Sequence, residues 1–209
     1  TDPGISAEFN GGTHMSMEDI GVLRSIPEIV IFEPTDNIQL KKALPQIVNY
    51  YGVVYIRTFR KNTPDIFDEN CDFDLFKAAK ITEGKDLSIF CSGIMVNETL
   101  IANEKLKSMG IDAEIINIHT IKPIDKAAVV ASVRKTGAVL TVENHSVIGG
   151  LKSAVCEVLM EEFPVPLRAV GVQDKFGQVG KMPYLKEQYN MQAEDIVKKA
   201  IEVLAAKNN

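Results

Sequence analysis

Apolar residues in this chain follow two alternating patterns. Short, nearly continuous runs occur at 29–32, 53–56, 87–91, 113–118, 138–142 and 166–170. Parallel strands covered on both faces read this way, because neither face alternates with solvent. Between the runs, apolar residues recur at helical spacing. Met17, Ile20 and Leu23 do so behind a capping-box pattern of Ser16 and Asp19. Leu40, Ala43, Leu44, Ile47 and Val48 form a second face, and Pro45 inside it predicts a kink or two short helices. Residues 96–109 read as a helix stopped by Gly110, and Asp125 as the cap of a helix over 126–134. Leu151, Ala154, Val155, Val158 and Leu159 make a full i, i+3, i+4 stripe. Ile196, Val197, Ala200, Ile201 and Leu204 make another.

This alternation predicts an α/β class with mainly parallel sheets. One stretch, 62–86, breaks it. Asp65, Asp68, Glu69, Asp72 and Asp74 make it acidic and weakly periodic, and Phe67, Phe73 and Phe76 are placed to pin it to a surface. We read 1–61 as one unit, 62–78 as a linker and 79–209 as a domain large enough for a five-stranded sheet with flanking helices. The first unit has only two convincing strands, too few to bury a core of its own, and reads as the later part of a domain.

Composition narrows the classes. The chain is 45% hydrophobic and 24% charged, an ordinary globular balance. A net charge of −5, with no lysine or arginine run, argues against a nucleic-acid surface. No apolar stretch has the length of a membrane span, and the opening TDPGISAEF lacks the basic start and apolar core of a signal peptide. Cys71, Cys91 and Cys156 are odd in number and far apart, which suits packing roles in a reducing cytoplasm. His14, His119 and His145 share no metal-ligand spacing, so no metal site is expected.

Several residues carry possible chemistry. His14 follows Gly11, Gly12 and Thr13, where glycines permit positive φ and close approach to a ligand. It reads either as a hydrogen-bonding or proton-moving group or as an exposed loop histidine, and the local pattern favours the latter. Arg57 and Arg60 follow the run VVYI, and strand ends of parallel sheets are where such folds bind ligands. Each suits a phosphate or carboxylate, or a surface ion pair with the acidic linker. His119 reads as structural. His145, Gly149 and Gly150 precede a helix, where glycines can form an anion site or permit tight packing; we favour packing. Lys175, Lys181 and Tyr184, in DKFGQVGKMPYL, show no constellation and read as structural or interfacial.

The order of motifs says more than any one. GGTHMSMEDIGVLRSIPEIVIFEPTD, VYIRTFRKNTP, CSGIMVNETLIANEKLKSMGIDAEIINIHTIKPID and LTVENHSVIGGLKSAV follow in turn. Together they resemble the C-terminal half of a transketolase, above all the split form made as two chains, across essentially all 209 residues. A similar layout occurs in deoxyxylulose-phosphate synthases and in beta subunits of 2-oxo-acid dehydrogenases. The resemblance implies part of a pyrimidine-binding α/β domain, followed by a transketolase C-terminal-like α/β domain with a mainly parallel five-stranded sheet. It implies transfer of a two-carbon ketol unit between sugar phosphates in carbohydrate metabolism, as in the pentose phosphate pathway. Thiamine diphosphate and Mg2+ would serve the complete assembly.

In the family, the histidine matching His14 is catalytic, reaching the reacting carbon and a ketose hydroxyl, and the arginine matching Arg60 holds the sugar phosphate. Two positions depart from the pattern. Asp2 stands where a substrate-facing histidine is usual, and Asn10 where an aspartate holds a substrate hydroxyl. An acid at position 2 repels a phosphate, which points to a non-standard or unphosphorylated sugar. The family's catalytic glutamate would lie upstream, and its GDG motif with an asparagine for magnesium and diphosphate is absent. The resemblance thus implies no cofactor-binding or metal residue in this chain, an amino-terminal partner half, a homo- or hetero-oligomer, and a chain inactive alone. A non-catalytic assembly module of the same fold is the alternative.

Overall fold

The computed structural model describes residues 2–207. Five strands form the main sheet in the order β3-β5-β4-β7-β8. They are β3 (Ala79–Thr82), β4 (Leu87–Cys91), β5 (Ala113–Asn117), β7 (Val139–Ser146) and β8 (Leu167–Val172). All pair in parallel except β3, which runs antiparallel to β5 at one edge. Strand β4 shows why its sequence lacks alternation: every residue is buried. Leu87, Ile89 and Cys91 face one core, while Phe90 faces the other. Ser88, on the Phe90 face, is satisfied by Ser132 and Thr136, each at 2.6 Å.

Helices cover both faces. α3 (Met95–Ser108) and α7 (Ala193–Lys207) pack on the first core, α4 (Lys126–Thr136) and α5 (Leu151–Glu162) on the second. Gly110, at φ 76, follows the end of α3, and Asp125 Oδ1 caps α4 by accepting from Ala128 N at 3.1 Å. The α5 stripe is buried as its spacing predicts. In α7 the stripe is rotated. Ile196 and Ala200 are buried, but Val203 takes the inward place and Ile201 is 42% exposed.

The smaller sheet has the order β2-β1-β6. β1 (Val30–Phe32) and β2 (Val54–Ile56) are parallel; β6 (Thr120–Lys122) joins β1 antiparallel. Neither β6 nor β3 is visible in the sequence, since Thr120–Lys122 is too short and polar and Ala79–Thr82 sits in the acidic stretch. β6 comes from the later part of the chain, so the first 61 residues complete a sheet with a borrowed strand. They are also fastened by burial. Ile5, Met15 and Met17 enter one core of the main sheet, and Ile20, Ile29 and Ile31 enter the other. Full burial of such side chains stabilises by roughly 1.5–3 kcal/mol each.

Two local expectations fail. The capping box does not form: α1 (Asp19–Arg24) begins at Asp19 itself, and Ser16 Oγ is buried without a partner among the described residues. Asp19 is drawn instead to Arg57. Pro45 does not divide its segment, because α2 (Asn37–Val48) is one helix with Pro45 in its last turn. A missing amide removes only one ladder bond there. Asp36 caps this helix through Gln39 N at 2.8 Å and also accepts from Ile66 N and Phe67 N, tying down the acidic segment. Phe73 and Phe76 pack on Phe32 and Tyr50, as the aromatic spacing suggests, but Leu75 is the residue that is fully buried. No helix among the described residues is long and apolar enough to cross a membrane.

Candidate functional site

Strand β4 lies between β5 and β7, so the order of connections reverses at its C-terminal end. Open α/β sheets usually bind ligands in the crevice at such a point. Here the chain's own first residues fill it. A bulge in β7, where the pairing with β8 shifts between Val142 and Ser146, re-aims Glu143, Asn144 and His145. Asn144 Oδ1 accepts from Ile5 N at 2.9 Å, and its Nδ2 donates to Pro3 O at 2.9 Å. Gly4 sits between them at φ 52, and a Cβ there would meet Asn144 Oδ1 at 2.3 Å. Only glycine fits that approach.

Arg57, just past β2, completes this socket and is wholly buried. It donates to Asp19 Oδ2 from Nε at 2.8 Å, to Glu33 Oε1 from Nη1, and from Nη2 to Ser16 O at 3.0 Å and Asn144 O at 2.9 Å. Ser92, after β4, donates to the other Glu33 oxygen at 2.6 Å. Burial alone would weaken the guanidinium's hold on its proton, but Glu33 and Asp19 more than reverse this and hold it above the ordinary arginine range. For Asp19, burial pulls upward, yet Arg57 keeps the carboxyl below its usual value. Arg57 is thus neither a ligand-facing cation nor a surface ion pair. It is an internal clamp that holds the strand end, the Ser16 carbonyl and Asn144 in one place.

That clamp sets the position of an open cleft of about 270 Å3, lined by Asp2, Asn10, His14, Thr58, Phe59 and Arg60. Three separate segments meet there. Arg60 lies three residues beyond Arg57, its side chain 69% exposed. Its backbone N–H donates to Asp2 Oδ1 at 2.8 Å, and its Nε to Asp2 Oδ2. Asp2 itself is buried, one residue before the Pro3 held by Asn144. His14 and Asn10 are exposed on the Gly-Gly turn. Gly11 adopts φ 71, and Gly12 lies so close to the loop 173–181 that a Cβ would meet Gly177 O at 2.8 Å. His14 Nδ1 is 2.9 Å from Thr13 Oγ1, which leaves Nε2 without a protein partner among the described residues.

The other histidines are structural. His119 donates from Nε2 to Lys77 O at 2.8 Å and packs on Phe32 and Phe73, and burial lowers its pKa to about 4. His145 donates from Nδ1 to Ser146 O at 2.6 Å; burial, then the Arg57 charge, lower it to about 4 as well. It is neutral beside Asp19 and Glu143, so neither contact is an ion pair. The Gly149–Gly150 pair serves packing. A Cβ on Gly150 would meet Glu143 Oε2 at 2.1 Å, and Glu143 occupies the α5 terminus by accepting from Leu151 N and Lys152 N. Cys91 is buried with its thiol pushed up to about 12. In the 173–181 loop, Lys175 and Lys181 make no constellation, and Phe176 is 94% exposed.

The cleft's donor set is one guanidinium, one imidazole, one amide and one buried carboxylate. It suits the hydroxyls and a single anionic group of a small polar molecule. It does not fit a magnesium-bound diphosphate, since Asp2 is already taken by Arg60. Asn144, Glu33 and Ser92 carry no periodic signal in the sequence, because strand-end polar residues have none; the rare charged residue after an apolar run, as at Glu33, is the one available hint.

Comparison with known proteins identifies the family. A model of the transketolase C-terminal domain matches residues 77–196, and one of the transketolase pyrimidine binding domain matches residues 1–65. The chain is 53% identical over 208 residues to a 6-deoxy-6-sulfo-D-fructose transketolase subunit of Clostridium sp. (strain MSTE9), covering 100% of this chain and 65% of the relative. It is 37% identical to an apulose-4-phosphate transketolase subunit of Phocaeicola vulgatus, over 95% of this chain and 64% of that one. A solved split-gene transketolase, described as an inactive beta4 tetramer, superposes with a TM-score of 0.88 at 38% identity, covering 94% of this chain and 64% of the other. The chain therefore spans about 65% of the length of these relatives. From both domain matches and the shared fold, this chain belongs to the transketolase family, of which it carries the C-terminal domain and an adjoining part of the pyrimidine-binding domain.

Proposed function

We propose that this chain is the C-terminal portion of a transketolase that moves a two-carbon ketol unit from a ketose to an aldose, working with an amino-terminal partner half. The convergence of Asp2, Asn10, His14 and Arg60 on one cleft carries this reading. Residues 1–61 then form the end of the pyrimidine-binding domain, 62–78 a linker and 79–209 the C-terminal domain. Transketolases depend on thiamine diphosphate. When bound, it supplies the carbon nucleophile and electron sink with which the ketose carbon chain is broken and remade. The cleft does not fit the cofactor's diphosphate, so we assign that group and its Mg2+ to residues outside this chain. The chain alone is then inactive, as the split-gene tetramer of similar fold is described to be.

The roles of the chain's own residues follow from their chemistry. Arg60, with both Nη groups free among the described residues, grips the anionic end of the sugar and so fixes where the reacting end lies. Asn10 hydrogen-bonds a hydroxyl. His14, with Nε2 open to the cleft, holds a hydroxyl near the reacting carbon and moves its proton. Loop 173–181 packs closely against the Gly-Gly turn. Relatives named for a sulfonated ketose and for a sugar phosphate support an anionic end on the donor.

The test is reconstitution. The full-length chain, its amino-terminal partner, thiamine diphosphate and Mg2+ are mixed with a panel of ketose donors and an aldose acceptor, and the transferred two-carbon unit is measured. His14→Ala is expected to lower kcat/KM by about 10²–10⁴-fold while the melting temperature stays put, because the side chain is exposed. Absence of transfer from every donor, or unchanged turnover in both His14→Ala and Arg60→Ala, would leave the assembly-module reading in its place.

A further inference from the structure

Among the described residues, Arg60 is the only lysine or arginine lining the cleft, and it does not stand there as a free cation. Asp2 takes its backbone N–H and its Nε together. That carboxylate is fixed on the protein side: Pro3 is held by Asn144, and Gly4 N donates to Ser16 O at 3.0 Å. Its side chain is only 6% exposed, so little water screens it. The neighbouring Lys61 is paired with Glu8 and lines a different cavity. The outcome is a guanidinium whose two Nη groups remain free, among the described residues, while its positive charge is already balanced.

Such a fork offers hydrogen bonds without net charge. A tetrahedral terminus with one negative charge gains those bonds. A second negative charge on the same terminus finds no second cation among the described residues and lies close to a fixed, poorly screened carboxylate. A phosphate ester carries about −1.5 to −2 at pH 7. A sulfonate presents the same three oxygens with a single charge.

We infer that Asp2 is a specificity-determining residue, which by pairing with Arg60 tunes the cleft to a ketose with a singly charged, three-oxygen terminus of the sulfonate class and against a phosphate dianion. This rests on reading the cleft as the substrate site. Discrimination of this kind needs a repulsive element as well as an attractive one, and Asp2 supplies it.

The experiment compares kcat/KM for two donors, 6-deoxy-6-sulfo-fructose and fructose 6-phosphate, in the reconstituted enzyme at a pH where the phosphate is dianionic. The wild type is expected to favour the sulfonate by about tenfold or more. Asp2→Asn keeps the shape and removes the charge, and is expected to move the ratio toward phosphate by about tenfold, chiefly by raising the phosphate value. A wild type that uses phosphate as well as sulfonate overturns the inference without any variant, so it remains decidable if Asp2→Asn fails to assemble. A shift in the variant of less than about threefold also overturns it. Turnover without discrimination defeats only the role of Asp2, whereas no turnover of any donor defeats the functional reading itself.

Discussion

Arg57 and Arg60 are three residues apart, and a sequence gives them the same standing: two cations after an apolar strand. The fold treats them oppositely. Arg57 is sealed among Asp19, Glu33, Ser16 and Asn144 and all three nitrogens of its guanidinium are engaged. Arg60 is 69% exposed, shares one carboxylate and keeps donors to spare. The first is a structural clamp at the point where open α/β sheets usually bind ligands, and the second is free to meet one. Position at a strand end is therefore not enough to assign a ligand role. What decides is whether other parts of the chain have already filled the hydrogen-bonding directions.

The comparison can be broken most directly by removing each side chain. Arg57→Ala leaves Glu33 and Asp19 buried and uncompensated, and is expected to cost about 3–5 kcal/mol of stability, read as a large fall in the denaturant midpoint. Arg60→Ala is expected to cost under about 1 kcal/mol while still impairing turnover. Equal stability losses in the two variants would erase the distinction.

A second contrast concerns the histidines. His14 is exposed, whereas His119 is buried and neutral, its pKa lowered from 6.5 to about 4 by burial. The unfolded chain then binds a proton between these values that the folded chain does not. The contribution of His119 is full above pH 6.5 and lost as pH falls toward 4. At about 1.4 kcal/mol per pH unit the span amounts to about 3 kcal/mol. Subtracting the stability-against-pH curve of His119→Phe from that of the wild type isolates it from opposing groups such as Glu143, whose carboxyl burial pushes up to about 8. A difference curve flat from pH 4 to 7 would refute the neutral, buried assignment. A smaller loss than at Arg57 or His119 is expected at the socket's edge. Asn144→Ala removes the bonds to Ile5 N and Pro3 O and is expected to cost about 1–3 kcal/mol, with KM rising as Asp2 loses its fixed place.

Much of the fold was legible beforehand, and for clear reasons. Strands β4, β5 and β7 announced themselves as apolar runs because the main sheet is covered on both faces, and α5 because one face is buried along its whole length. Ser16 and Pro45 were misleading because the local rules they obey were outweighed. Asp19 has a stronger partner in Arg57, and Pro45 falls in the last turn of α2, where one ladder bond is lost with only three helical residues left to follow. β3 and β6 were invisible because short edge pairing depends on what lies alongside rather than on period.

By itself the sequence determined the α/β alternation and the Gly-Gly turn before His14, since each depends on neighbours a few residues apart, and the order of motifs that marks the family, which is linear along the chain. It supplied Asp2, Asn10, His14 and Arg60 as separate points. Only the tertiary structure decided that they share one cleft, that Arg57 belongs to the interior and that Asp2 neutralises Arg60. Those outcomes depend on which segment fills the crevice at the end of β4 and on which carboxylate loses its water, and both are set by packing between residues far apart in the chain.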